Sequence, residues 1–266
     1  MPMTYEKKGK IGIFTIDNPK VNALTPEMHK QFYDQMHEFL ADQSVHVGIL
    51  TGAGDRAFCG GDDIKHDWGY HSLEANLNAH FWPSTEENAD KRPGWERDLK
   101  TVERFKPIIG AINGPAMGMG LIYLVCHTDI RIATPNARLG LPEIAYGMGG
   151  ASGTTQLARH IPHAVAMWML LTGESLTAEE ALQHSLVNEI VEPDKLMERA
   201  MEVAEKIAAH PPLAVRVEME VFKRSLDLPQ AESRAFSSHL YRLQRAAYLT
   251  QPGNTATPLA DTKSTE

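Results

Sequence analysis

Residues 108–143 read IIGAINGPAMGMGLIYLVCHTDIRIATPNARLGLPE. Ile108 to Ile112 is a short apolar run that predicts a buried strand. Gly114-Pro115 predicts a turn, and Gly118-Met119-Gly120 opens an apolar helix. A second strand is expected over Asp129 to Ala133, then an extended piece ending in Pro142-Glu143. Gly118 and Gly120 remove side-chain bulk where the helix begins, so its first-turn amides are open to close approach by a ligand. Such amides suit an oxygen that turns negative during a reaction. Glu143 stands among Leu139, Leu141 and Ile144, and desolvation by apolar neighbours raises a carboxyl pKa toward the range of a working acid/base.

Outward from this stretch the pattern is strand, helix, strand. Ile11 to Ile16 predicts a strand, joined through Lys7 to Lys10 to an earlier one at Met3 to Glu6. Thr25-Pro26 is a helix start, and Met28, Phe32, Met36 and Leu40 space out one apolar stripe. Val45 to Thr51 has the continuous apolar core of a strand covered on both faces, which favours parallel pairing and an α/β fold class. A glycine-rich loop, Gly52 to Lys65, follows. From His66 to Trp95 periodicity is lost, and the tryptophans there favour a lid or pocket wall over a linker. Thr177 and Glu180 form a capping box, Val187 to Val191 is a last short strand, and the chain is helical from Pro193 in three proline-separated segments. Domain limits are expected at 1–192 for the core and 193–252 for a helical oligomerisation region, with a disordered tail over 253–266.

Composition narrows the function. Lys and Arg number 26 against 34 Asp and Glu, a formal net charge of -8, with no basic run or basic helix face. That argues against a nucleic-acid or membrane-surface binder and leaves room for a local basic pocket around one phosphate-bearing ligand. Cys59 and Cys126, far apart in sequence, fit free thiols in a reducing compartment. No apolar run reaches the roughly 18 residues that span a bilayer, so a soluble, cytoplasmic protein is expected. The histidines do not fall at metal-ligand spacing, so no metal is expected. Gly52-Ala-Gly54 and Gly147-Met-Gly149 lack the offsets and the strand-to-helix context of a dinucleotide loop.

The blocks NPKVNALT (18–25), AFCGGDDIK (57–65), AINGPAMGMG (111–120), DIRIATPNARLGLPE (129–143) and LTGESLTAEEALQHSLVNEIV (171–191), in this order, resemble the crotonase superfamily, the enoyl-CoA hydratase/isomerase family. The resemblance implies a spiral of ββα units with a C-terminal helical trimerisation region, assembled as a homotrimer or a dimer of trimers. It implies an acyl-CoA thioester substrate, with coenzyme A entering as part of that substrate and no tightly bound cofactor. Two main-chain N–H groups would hold the thioester oxygen, and the matching positions are Asp62 and Met119. Glu143 matches the family's second glutamate. Arg56, Ala57, Cys59, Gly61, Lys65 and Gly118 match positions along the substrate, with Arg56 and Lys65 near the coenzyme A phosphates.

Two positions depart from the pattern. Hydratases of the family carry a first glutamate where Ile122 stands, three residues past Met119. A lone carboxylate suits shuttling a proton between two carbons of one enolate, so isomerisation, hydration by an altered route and other enolate chemistry all stay open. Asp62 replaces a small neutral residue, and its charge would oppose the oxyanion unless it points away, bonds Lys65 or acts on substrate. The competing reading is a non-catalytic acyl-CoA-binding scaffold that has lost its paired acids. Locally, Glu143 reads equally as a turn cap, Asp62 and Asp63 as turn formers, Tyr123 and Tyr146 as core aromatics, and both cysteines as small buried residues.

Overall fold

The structure, a computed structural model, describes residues 3–68, 72–82, 85, 94–149 and 153–250. Alternation over the first residues gives β1 (Met3–Lys8), antiparallel to β2 (Ile11–Ile16). In α1 (Pro26–Ala41) the Thr25 side chain caps the first turn by accepting from the Met28 N–H. Met28, Phe32 and Met36 are buried as expected. The fourth place in the stripe belongs to Phe39 rather than Leu40, which is only half-buried, because Phe39 packs edge-on against Phe14. β3 (Val47–Gly52) is buried at every position and runs parallel to β2.

The segment read as a long loop contains one helix, α2 (Leu73–Phe81), and a second, α3 (Trp95–Lys100), begins at its last residue. α2 forms from good helix formers without a clear apolar stripe, so periodicity could not reveal it. Trp95 packs on Tyr33 of α1 beneath the Lys30 ammonium, Trp82 is exposed, and Trp68 lies 5.9 Å from the His29 ring. The rest of the expected lid falls on residues 69–71, 83–84 and 86–93, outside the described set.

Next come β4 (Ile108–Ile112), β5 (Ala116–Met117), α4 (Met119–His127), β6 (Ile130–Ala133) and β7 (Arg138–Gly140). A 3-10 turn over Pro142–Tyr146 leads to α5 (Gly153–Leu157), α6 (His163–Thr172), β8 (Leu176–Thr177), α7 (Ala178–Gln183), β9 (Glu189–Ile190) and α8 (Leu196–Ala208). Thr177 and Glu180 make both hydrogen bonds of the capping box.

One sheet has the order β1-β2-β3-β4-β6-β9, and a second has the order β5-β7-β8. Single parallel bridges, Leu24 with Asp62 and Cys59 with Ala116, continue the second layer. Each winding places one strand in the large sheet, one short extended piece in the second layer, and usually a helix before the chain returns. This is the expected spiral of ββα units. Phe14, Ile16 and Leu50 point to one face of the large sheet, where α1 and α4 pack. Ile11, Ile13, Val47 and Ile49 point to the other, with α8.

The chain divides into two units after Ala208, later than the 192/193 boundary expected from sequence. Leu196, Ala200, Ala204 and Ala208 line one face of α8 at helical spacing and are buried in one cluster with Val47 and Ile109, which ties α8 to the first unit. In the second unit α9 (Pro212–Ser225) and α10 (Gln230–Leu249) pack on each other, each starting at or just after a proline. The expected disordered tail, 253–266, lies outside the described residues.

Candidate active site

Two asparagines brace the loop that follows β3. Asn22, in the connection from β2 to α1, donates from Nδ2 to the Ala53 carbonyl (3.0 Å) and the Ala57 carbonyl (2.8 Å). Asn113, in the turn after β4, donates from Nδ2 to the carbonyls of Gly52 (2.9 Å) and Gly54 (2.7 Å). The braced chain then joins the second layer. The Cys59 N–H donates to the Pro115 carbonyl and the Met117 N–H to the Cys59 carbonyl. On the other edge, the Leu24 N–H donates to the Gly61 carbonyl and the Asp63 N–H to the Leu24 carbonyl. In such a parallel bridge the residue opposite Leu24 turns its own N–H and C=O away from it. The Asp62 amide is thereby aimed toward the edge where β5 leads into α4.

That edge is shaped by two glycines. Gly61 has φ +91°, and a methyl group placed on it would lie 3.0 Å from the Met117 carbonyl oxygen and 3.5 Å from the Met119 nitrogen. Gly118, the residue before α4, has φ +54° and ψ -123°, a conformation open in practice only to glycine. A methyl group there would sit 3.0 Å from Glu143 Oε1 and 3.8 Å from the Gly61 Cα. Met119 supplies the first amide of α4, and the first N–H groups of a helix lack carbonyl partners four residues back. The Ile122 N–H already bonds the Gly118 carbonyl at 3.0 Å. Asp62, Met119 and Glu143 are therefore gathered around the contact between Gly61 and Gly118.

The sequence candidates separate into three groups. Gly61, Asp62, Gly118, Met119 and Glu143 come together. Ala57 and Cys59 are buried beneath them and act through main chain: Ala57 accepts from Asn22, and Cys59 bridges to β5. Burial pushes the Cys59 thiol up to about 12 and the Cys126 thiol up to about 11, which fits inert thiols. Arg56 and Lys65 are exposed on the same loop. Glu143 sits in the 3-10 turn, partly buried, with Leu139 and Leu141 in the core. Ile144, expected as a third apolar neighbour, is exposed because the turn directs it outward. Ile122 is 2% exposed and presents no polar group.

Sequence reading missed His29. Its side chain is 1% exposed, its Nε2 lies 3.1 Å from Asp62 Oδ1, and its Nδ1 lies 2.5 Å from the Tyr123 hydroxyl. Tyr123 is wholly buried as expected of a core aromatic, and its hydroxyl meets this imidazole. The available signal was a histidine directly after Met28 on the buried side of α1. Tyr146, by contrast, is 69% exposed. Among the described residues no group of three His, Cys, Asp or Glu is placed to hold a metal ion, and no helix is long and apolar enough to cross a membrane.

The chain is similar to known proteins over most of its length. The family model described as enoyl-CoA hydratase/isomerase matches residues 6–253. The (E)-benzylidenesuccinyl-CoA hydratase of Thauera aromatica is 38% identical over 250 residues, covering 92% of this chain and 91% of that protein. The short-chain-enoyl-CoA hydratase of Clostridium acetobutylicum is 35% identical over 244 residues, covering 89% and 86%. A solved enoyl-CoA hydratase subunit from Geobacillus kaustophilus HTA426 superposes with a TM-score of 0.78 at 31% identity, covering 91% of this chain and 89% of its own.

Proposed function

Because the chain belongs to the enoyl-CoA hydratase/isomerase family, we propose that it acts on an enoyl-CoA thioester by stabilising the thioester enolate, with Glu143 as its single carboxylate acid/base. The observation that carries this reading is the placement of Glu143 Oε1 against Gly118, the residue before Met119, with Gly61, the residue before Asp62, across from it. The amides of Asp62 and Met119 would receive the thioester oxygen, whose charge grows as the enolate forms. One such donor in a dry site lowers a barrier by about 3 kcal/mol. In hydration, water adds at the β-carbon as Glu143 takes its proton, and Glu143 returns a proton to the α-carbon. In double-bond migration, the same carboxylate removes a proton from one carbon and delivers it to another.

The named hydratases among the relatives favour water addition. Ile122 favours migration, since it provides no second group to hold the water. A panel of 2-enoyl- and 3-enoyl-CoA thioesters, followed by the absorbance of the conjugated thioester, separates the two: loss of absorbance from the first reports hydration, gain from the second migration. Silence on the whole panel, with acyl-CoA still bound, would leave the scaffold reading. Ile122→Glu is expected to raise hydration of a short 2-enoyl-CoA by about 10-fold or more, with the roughly 10² to 10⁴ of a fully positioned acid/base as the ceiling, as measured by kcat/KM. No change would count against the matching of this position.

Arg56 and Lys65, exposed on the loop that bears Asp62, are suited to the phosphates of coenzyme A. Coenzyme A would come and go with the substrate, and no resident cofactor is needed. We assign self-association as a trimer or pair of trimers to the C-terminal helices, where Phe222, Leu226, Tyr241 and Leu243 are exposed. Sedimentation of the full chain at micromolar concentration should give the mass of three or six copies; a monomer would overturn the assignment.

A further inference from the structure

A carboxylate beside the proposed oxyanion hole is a liability, and Asp62 carries one. Asp62 offers its amide to the proposed hole, while its side chain, 11% exposed, carries a charge of the same sign as the one that develops on the thioester oxygen. That carboxylate is held by His29 at 3.1 Å, and His29 is held in turn by Tyr123 at 2.5 Å. If Nε2–H donates to Asp62 and Nδ1 accepts the Tyr123 hydroxyl proton, the imidazole is neutral and both its nitrogens are satisfied. The three residues come from the loop after β3, from α1 and from α4. Tyr123 lies four residues after Met119, so the ends of the chain of contacts rest on the two segments that supply the two donors. The imidazole is enclosed by the rings of Tyr123 and Trp68 at 5.7 and 5.9 Å. These surroundings are low in dielectric, where fixed charges act over longer distances.

We propose that His29, oriented by Tyr123, is a positioning residue that binds the Asp62 carboxylate and keeps its charge from opposing the negative thioester oxygen. This rests on the reading of the Asp62 amide as a donor. It accounts for how the chain accepts an acidic residue at a donor position.

The test is a double-mutant cycle read two ways: kcat and KM on the best thioester of the panel, and affinity for acetoacetyl-CoA, whose enolate presents a negative oxygen without turnover. His29→Leu should lower kcat by about 100-fold with KM changed less than about threefold, and weaken acetoacetyl-CoA far more than free coenzyme A, the scale of one misplaced hole donor. In the Asp62→Ala background, where no carboxylate needs holding, the same change should cost less than about threefold in both readouts, the coupling expected of contacting residues. Tyr123→Phe, which keeps the ring and removes only the hydroxyl, should show a smaller loss that also vanishes in that background. It serves if His29→Leu does not fold by circular dichroism. Equal losses with and without Asp62 would make His29 a packing residue and overturn the inference while leaving the donor reading intact. If the unaltered chain binds acetoacetyl-CoA no better than coenzyme A, the donor reading fails, and the inference with it.

Discussion

Glu143→Gln is expected to lower turnover by about 10³-fold or more, with coenzyme A affinity changed less than about threefold. The amide keeps the volume and polarity of the carboxyl but can neither take nor return a proton, and positioned acid–base groups contribute about 10² to 10⁴ in rate. The loss should lie at the upper end because Ile122 leaves no second carboxylate on α4 to take over. The measurement is kcat beside a separate titration with coenzyme A. Retained turnover would remove Glu143 from the chemistry and return it to the role of a turn residue.

Gly118→Ala should be nearly as damaging, for a reason that is wholly geometric. At φ +54° and ψ -123° an alanine is strained by about 1–3 kcal/mol. Its methyl group would also stand 3.0 Å from Glu143 Oε1, so carboxylate and backbone cannot both keep their places. The carboxylate gives way to the methyl group while the backbone strain bears on Met119, the next residue, and displacing one donor of the proposed oxyanion hole costs about 10²- to 10³-fold in kcat. We expect that loss together with a lowered melting temperature. A stable variant with full activity would mean that the amide after Gly118 is not used.

Main-chain features of this site were legible because glycine and proline announce them. Gly118-Met119-Gly120 marks a helix start, Thr25-Pro26 a cap, and Pro142 the end of an extended piece at Glu143, each through a constraint local to a few residues. What the sequence could not reveal depends on partners distant along the chain. His29 is 33 positions from Asp62 and 94 from Tyr123, and no periodicity links them. Asn22 reads as a loop residue until Ala53 and Ala57 are seen within reach of its amide. The division after Ala208 has a related reason: Pro193 marks where the C-terminal helices begin, but the alanine face of α8 groups the first of them with the first unit. α2 escaped notice because a helix with no clear apolar stripe leaves no signature at a period of 3.6 residues.

The bridges from Leu24 to Asp62 and from Cys59 to Ala116 have a wider consequence. They orient their peptide groups by strand pairing, a job indifferent to which side chains hang from the strands. Of the twenty amino acids only proline lacks the hydrogen that such a frame presents. Selection can therefore exchange the side chains around these peptide groups residue by residue, acid for small or apolar for acid, on an unchanged main-chain frame.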